Sequence, residues 1–161
     1  MEFLLNKSTY TIQVKREFAA PVDMVWAAWT QPELLDQWWA PKPYRSQTKH
    51  MEFSVGGKRV YAMCSPEGEK FWAMACFTAI SPKTNFQYWD AFCDEHGKAN
   101  EEKPRSDWSI TFVGVGDMTQ VEMTIAHHTL ADLEKLVALG FKQGFAIALD
   151  GLDDLLRRLH Q

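Results

Sequence analysis

The sequence predicts an α+β domain in which a curved antiparallel sheet of about seven strands holds one long helix. Three observations support this fold class: a strand-like segment followed by two short helices, six further strand-like segments separated by turn residues, and a long amphipathic final segment. The chain has 161 residues, 46% of them hydrophobic, and it contains no repeat, linker or low-complexity block. We therefore expect residues 1–161 to form a single domain.

The first strand and the two short helices are indicated by alternation and by prolines. Polar and apolar residues alternate over Thr9–Phe18, as in a strand with one buried face. Pro21 suits the first turn of a helix that ends before Pro32, and a second short helix follows over Glu33–Trp38.

Six further segments carry the β-branched and aromatic residues that strands favour, with hairpin-type turns between them. They are Tyr44–Phe53, Lys58–Ser65, Phe71–Ile80, Asn85–Cys93, Asp107–Val115 and Gln120–Thr129. Because the turns are short, we expect the strands to pair in sequence order. The segment Asp94–Arg105 is almost entirely polar, so we expect a solvated and mobile loop there.

The last predicted element is one amphipathic helix from about Ala131 to Leu159, whose apolar residues share one broad face. Gly140, Gly144 and Gly151 fall within that face, although glycine costs about 1 kcal/mol relative to alanine inside a helix. We expect these glycines to face the sheet, where they either permit close packing or leave volume open.

Composition excludes several classes of function. Seventeen Lys and Arg against 21 Asp and Glu give a net charge of −4, which does not favour nucleic acid as a partner. Three cysteines without CxxC spacing predict neither a disulfide framework nor a metal site. The sequence contains no glycine-rich phosphate loop, so we expect no cofactor. The absence of a signal peptide or an apolar membrane-spanning segment predicts a cytoplasmic protein without membrane association.

Several motifs together resemble one known family. They are Arg16–Pro21 (REFAAP), Val25–Thr30 (VWAAWT), Pro32, Trp38–Pro41 (WWAP), Gly56-Gly57, Asp94–Gly97 (DEHG) and Gly144-Phe145. These motifs span nearly the whole chain and resemble the domain homologous to the activator of the Hsp90 ATPase (the AHSA1 family), which belongs to the START/Bet v1-like superfamily. The resemblance implies a helix-grip fold with a cavity between the sheet and the long helix. The sequence departs from the family pattern at Ala40, Ser54 and Phe145, and Ser54 removes a positive charge that could have paired with Glu52.

Few polar residues are candidates for contact with a ligand. Arg16 interrupts the apolar face of the first strand, so an inward guanidinium would need Asp90 or a ligand anion, unless it forms a structural ion pair at the strand end. His50 and Glu52 share one strand face as an acid/base couple would, but two residues on a solvated face give the same pattern. His127 and His128 are adjacent on a strand and point to opposite faces, so at most one of them faces inward.

Aromatic residues make up 13% of the chain, and many lie on elements that a helix-grip fold brings together. The predicted lining of a ligand cavity is Trp39, Phe53, Trp72, Met74, Tyr88, Phe92, Trp108, Phe141, Gly144 and Phe145. The alternative is that these residues are ordinary core. Alternation places Phe71, Phe77 and Trp89 on the outer face of the sheet, which suggests a weak homodimer.

The sequence thus predicts a module that binds a small apolar or aromatic molecule without turnover. Two alternatives follow from the resemblance. One is a cochaperone-like interaction module, although stimulation of the Hsp90 ATPase is not expected from a chain of this length. The other is a cavity enzyme of the cyclase or hydrolase type, which would need Arg16, His50, Glu52, His127 or Asp90 to point into the cavity.

Overall fold

The computed structural model describes residues 1–160, in which eight antiparallel strands form one sheet of order β1-β2-β8-β7-β6-β5-β4-β3. The strands are β1 (Glu2–Asn6), β2 (Thr11–Phe18), β3 (Arg45–Met51), β4 (Lys58–Cys64), β5 (Lys70–Ser81), β6 (Asn85–Phe92), β7 (Ser106–Val115) and β8 (Met118–His127). Strands β3 to β8 pair in sequence order, as the short turns predict, and β8 then pairs with β2.

The four helices are α1 (Val22–Thr30), α2 (Pro32–Leu35), α3 (Leu130–Ala138) and α4 (Phe141–Leu159). The α+β class and the long C-terminal helix are confirmed. The concave face of the sheet and the apolar face of α4 enclose the main core, which α1 and the Trp38 side chain complete. Within residues 1–160, no helix combines the length and the apolar character required to cross a membrane.

The sheet has one strand more than the sequence predicts. Strand β1 pairs with β2 from Glu2 opposite Lys15 to Asn6 opposite Thr11. Four of its five residues are exposed, so it has no alternating burial pattern by which it could have been recognised. It is held as an edge strand by its backbone hydrogen bonds to β2.

The predicted single C-terminal helix is two helices, and Gly140 lies between them rather than on the buried face. Gly140 has a φ of +86°, which residues with a side chain rarely adopt, and its N–H donates to the carbonyl of Val137. Glycine commonly ends a helix in this left-handed conformation. The expectation that Gly140 lies inside the helix and faces the sheet is therefore wrong.

The polar segment Asp94–Arg105 is not a freely solvated loop, because part of it packs on the convex face of the sheet. The Asp94 carboxylate accepts N–H bonds from His96 and Lys98, which closes a tight turn. Gly97 is buried against Val60, and Ala99 packs with the cluster formed by Val60 and Met74. The segment covers apolar residues on the convex face that sequence alternation leaves without a partner.

Candidate ligand-binding site

Aromatic rings fill most of the space between the sheet and α4. Trp108 stacks on Tyr88 with ring centroids 5.5 Å apart, and the edge of Phe145 on α4 approaches Trp108 at 5.7 Å. Trp39 closes the same space from the segment after α2, with its ring 5.9 Å from Trp108 and 6.2 Å from Phe145. The interior is therefore a continuous aromatic cluster rather than a wide open chamber.

A residual cavity of about 20 Å³ remains beside this cluster. It lies between the helical pair and strands β3 to β6, and its lining includes Trp39, Arg59, Tyr61, Ala75 and Tyr88. This volume is close to the minimum that holds one water molecule. A larger occupant therefore requires side chains to move.

A buried guanidinium borders the cavity. Arg59, only 4% exposed, donates from Nε to the Thr48 hydroxyl (3.1 Å) and from Nη2 to the Ser46 hydroxyl (2.8 Å) and the Asp36 carboxylate (3.3 Å). Its guanidinium carbon lies 4.0 Å from the centroid of the Tyr61 ring. Asp36 also accepts from the hydroxyls of Ser46 and Thr48, so the charges are joined in one network.

Burial changes the protonation behaviour of this site. Desolvation lowers the pKa of Arg59, and the nearby charge of Asp36 opposes that shift. Burial also raises the pKa of Tyr61 and of Tyr88, so both phenols stay neutral at physiological pH. The site thus combines one positive charge, one carboxylate counter-charge and two neutral phenols.

Asp90 lies on the same face of the sheet but outside the cavity lining. The backbone N–H of Ser106 donates to one carboxylate oxygen at 3.2 Å. Desolvation raises the pKa of Asp90 from 3.8 to about 7, although this bond and the nearby indole N–H of Trp108 favour the charged form. The Trp108 N–H does not reach hydrogen-bond geometry with any atom of residues 1–160. Asp90 is therefore a carboxyl group that can hold a proton near neutral pH.

Strand register explains why these polar groups face the interior together. Arg59 on β4 pairs with Ala75 on β5, Ala75 pairs with Asp90 on β6, and the row continues through Ser106 on β7 to His127 on β8. Neighbouring strands are about 4.8 Å apart, so the backbones at Arg59 and Asp90 lie about 10 Å apart, with β5 between them. The small side chain of Ala75 leaves room between them.

Most of the predicted cavity residues lie on the concave side of the sheet. Trp39, Phe53, Phe141 and Phe145 belong to the main core cluster or pack against it, as do Tyr88 and Trp108. Phe92 lies at the end of β6, where it is 42% exposed and its ring is 4.8 Å from the Lys103 ammonium. Gly144 faces Pro41, because a Cβ added there would lie 3.7 Å from the Pro41 side chain.

The prediction that Trp72 and Met74 line the cavity is wrong. They lie on the convex face, in the cluster with Val60 and Ala91. Phe77, which alternation placed on the outer face, is instead buried inside, with its ring centroid 4.9 Å from that of Phe53. Both faces of β5 are apolar, so alternation shows which residues share a face but not which face is inside.

The predicted polar contacts separate in the structure. Arg16 pairs with Asp150 on α4 at 2.7 Å, beside an open surface cleft of about 600 Å³, so Asp90 is not its partner. Glu52 and His50 are exposed, as expected of a solvated strand face.

Of the polar candidates named from the sequence, Arg16, Asp90 and His127 lie on the concave side of the sheet, and Arg16 lies at the edge beside Asp150. Nδ1 of His127 is 3.2 Å from the carbonyl oxygen of Tyr10, and its buried Nε2 has no hydrogen-bond partner within residues 1–160. Desolvation lowers the pKa of His127.

Arg59, Tyr61 and Asp36 were missed by sequence reasoning. A signal did exist, since Arg59 and Tyr61 alternate with apolar residues in β4 and an arginine inside a buried strand requires a partner. Asp36 gives no such signal, because it follows α2 and meets Arg59 only through tertiary packing. Within residues 1–160 there is also no group of three or more His, Cys, Asp or Glu that could hold a metal ion.

The sheet and its long C-terminal helix define the class of protein, a domain with the helix-grip fold. Residues 19–157 match the family model described as activator of Hsp90 ATPase homolog 1-like protein. The chain therefore belongs to the activator of Hsp90 ATPase homolog 1-like family, and the resemblance inferred from the motifs is confirmed. No curated protein matches the sequence.

Solved structures of bacterial proteins share the fold over almost the whole chain. A solution NMR structure from Arthrobacter aurescens has a TM-score of 0.92 and 26% identity, covering 98% of this chain and 91% of that one. A crystal structure from Mycobacterium smegmatis has a TM-score of 0.88 and 26% identity, covering 97% and 96%. A crystal structure from Nitrosomonas europaea has a TM-score of 0.84 and 25% identity, covering 95% and 97%.

Proposed function

We propose that this protein binds a small, flat, apolar or aromatic molecule between the sheet and α4, beside Arg59, and releases it unchanged. The observation that carries the proposal is the cavity itself, which joins aromatic walls to a buried guanidinium in one place. Ligand sites are mostly apolar cavities with a few convergent polar groups. Membership of a family whose domains typically hold a ligand in a cavity supports the same function.

Binding requires the site to open, because about 20 Å³ is far less than any aromatic molecule occupies. Trp39 is the side chain best placed to move, since it lines the cavity and is only partly buried. Displacing the Trp39 ring outward would leave a flat space against Tyr61 and Tyr88.

The test is a thermal-shift screen of flavonoid-like, fatty-acid and steroid-like compounds with two matched variants. Ala75→Val fills the cavity, whereas Ala91→Val adds the same volume to a buried position on the convex face. A ligand at 100 times its dissociation constant adds about 2.7 kcal/mol to stability. We expect this shift in the wild type and in Ala91→Val but not in Ala75→Val. Absence of any shift, or an equal shift in both variants, contradicts the proposal.

A cavity enzyme is the second candidate function, and Asp90 is the observation that favours it. An inward carboxyl with a pKa of about 7 suits a general acid or base. If a bound compound from the screen is converted over time, the conversion should stop in Asp90→Asn while binding is retained. Recovery of the unchanged compound after prolonged incubation would support binding alone.

A further inference from the structure

Arg59 has hydrogen-bonding capacity that the protein does not use. A guanidinium carries five N–H donors. The bonds to Thr48, Ser46 and Asp36 occupy the single donor on Nε and both donors on Nη2. Within residues 1–160, no atom accepts a hydrogen bond from Nη1. Arg59 borders the cavity and its Nη1 is not fully buried, so this group is free to donate to a molecule that enters that space.

The charge at this position is already balanced. Asp36 lies 3.3 Å from the guanidinium and is itself held by the hydroxyls of Ser46 and Thr48. A ligand carboxylate would place a second negative charge beside one guanidinium in a poorly solvated site, which is unfavourable. A neutral oxygen accepts the same N–H groups without that penalty.

The aromatic walls of the cavity indicate the shape of the rest of the ligand. The guanidinium lies over the Tyr61 ring, and the other aromatic walls of the cavity include Trp39, Phe77 and Tyr88. Flat aromatic surfaces of this kind favour a flat partner. About 20 Å³ beside the guanidinium accommodates a single oxygen atom before any ring has to move.

We infer that the site selects flat aromatic molecules that carry a neutral carbonyl oxygen, and that the Nη1 group of Arg59 donates to this oxygen. The inference rests on the proposed function and names its ligand class. Asp36 acts as a specificity-determining residue, because its charge keeps carboxylates out.

Three probes of one skeleton test the inference: indanone, indane and indane carboxylate. Their affinities are measured by calorimetry, and the indole N–H signal of Trp39, which donates to the Tyr61 hydroxyl, reports binding at this site by NMR. We expect wild-type protein to bind indanone about tenfold more tightly than indane, as for a hydrogen bond to a charged donor. Indane carboxylate should bind more weakly than indanone.

Two variants separate the oxygen from the charge. Arg59→Met should remove the preference for indanone over indane. Asp36→Asn leaves Arg59 charged but without its counter-charge, so the affinity for indane carboxylate should rise about tenfold. This gain of binding cannot come from a variant that has merely lost its fold.

The possible contrary results distinguish failure of the inference from failure of the proposed function. Equal affinities for indanone and indane in the wild type overturn the inference, while the binding itself upholds the proposed function. A wild type that prefers the carboxylate overturns the argument from charge balance. A protein that binds none of the three probes contradicts the proposed function and the inference together.

Discussion

At the scale of single residues, the interior depends on the buried charge of Arg59, which one partly exposed carboxylate within residues 1–160 compensates. Arg59 cannot lose its proton in the folded protein, so it must be paired. Its partner, Asp36, retains 29% side-chain exposure. A buried ion pair of this kind adds little net stability, but breaking it by removing one member is costly.

Asp36→Ala should therefore destabilise the protein by about 2–3 kcal/mol, below the range for a fully buried pair because Asp36 is partly solvated. Asp153→Ala is the control, since it breaks a pair with the exposed Arg157 on α4 and should cost about 0.5 kcal/mol. Urea denaturation measures both. Equal costs for the two variants would show that Arg59 does not depend on Asp36.

Asp90 should make the stability depend on pH. Its folded-state pKa of about 7 is raised above the unfolded value of 3.8, so the folded state binds more protons between these values. Stability then falls as pH rises from about 4 to about 7 and levels off above that, as linkage requires. His127, whose pKa is lowered, has the opposite effect, with stability lost as pH falls through its usual titration range.

Asp90→Asn isolates the first effect, because His127 and every other titrating group is common to both proteins. The variant should gain stability relative to the wild type as pH rises from 4 to 8, and urea midpoints across this range measure the gain. Parallel stability curves for the two proteins would mean that Asp90 titrates at an ordinary pKa.

At the scale of elements, the three glycines near the C-terminus have different roles. Gly140 separates α3 from α4 with a φ of +86°, whereas Gly151 lies inside α4. A Cβ at Gly151 would meet the Cβ of Trp38 at 3.7 Å, an ordinary contact. The helix therefore leaves space for a methyl group at Gly151.

Gly151→Ala should stabilise the protein by about 0.5–1 kcal/mol, because alanine has the higher helix propensity. Gly140→Ala should destabilise it by about 1–2 kcal/mol, because a side chain disfavours the left-handed conformation. Thermal denaturation checks both signs. Stabilisation by Gly140→Ala would indicate that α3 and α4 form one continuous helix in solution.

The loop on the convex face is a second element whose role can be measured. Gly97 and Gly68 both have a positive φ, but only Gly97 is close to another residue, with a built Cβ 2.9 Å from Val60. Alanine at either position is strained because a side chain disfavours a positive φ, and alanine at Gly97 also displaces the loop. Gly97→Ala should therefore cost about 1–2 kcal/mol more than Gly68→Ala in urea denaturation. Similar costs would mean that the loop does not pack on the sheet in solution.

At the scale of the whole molecule, a weak homodimer remains a prediction. Of the three residues that suggested it, Phe77 is buried inside and Trp89 is covered by Arg105, whose guanidinium carbon is 4.2 Å from the ring. Phe71 stays 44% exposed beside Tyr44. Sedimentation should show reversible dimers at high micromolar concentration in the wild type and monomers in Phe71→Ser. A wild type that stays monomeric removes the basis for this interface.

The sequence by itself determined the order of the elements from β2 to β8, the family and which residues share a strand face, but not β1 or the division of the C-terminal helix. Alternation, proline positions and turn residues are local signals, and they are strong where one face of an element is apolar and the other polar. The family could be recognised from the motifs between Arg16 and Pro41 for a related reason. Residues that are close together in the sequence form a pattern that can be recognised without the fold.

Tertiary structure alone decided which face of β5 is inside, where the C-terminal helix breaks, and which polar residues meet. Both faces of β5 are apolar because the convex face is covered by a loop that reads as polar. Arg59 and Asp36 are 23 residues apart and meet only when α2 packs against β3. Such contacts arise from the register of distant strands and from the space left by small residues such as Ala75, and no local pattern encodes either.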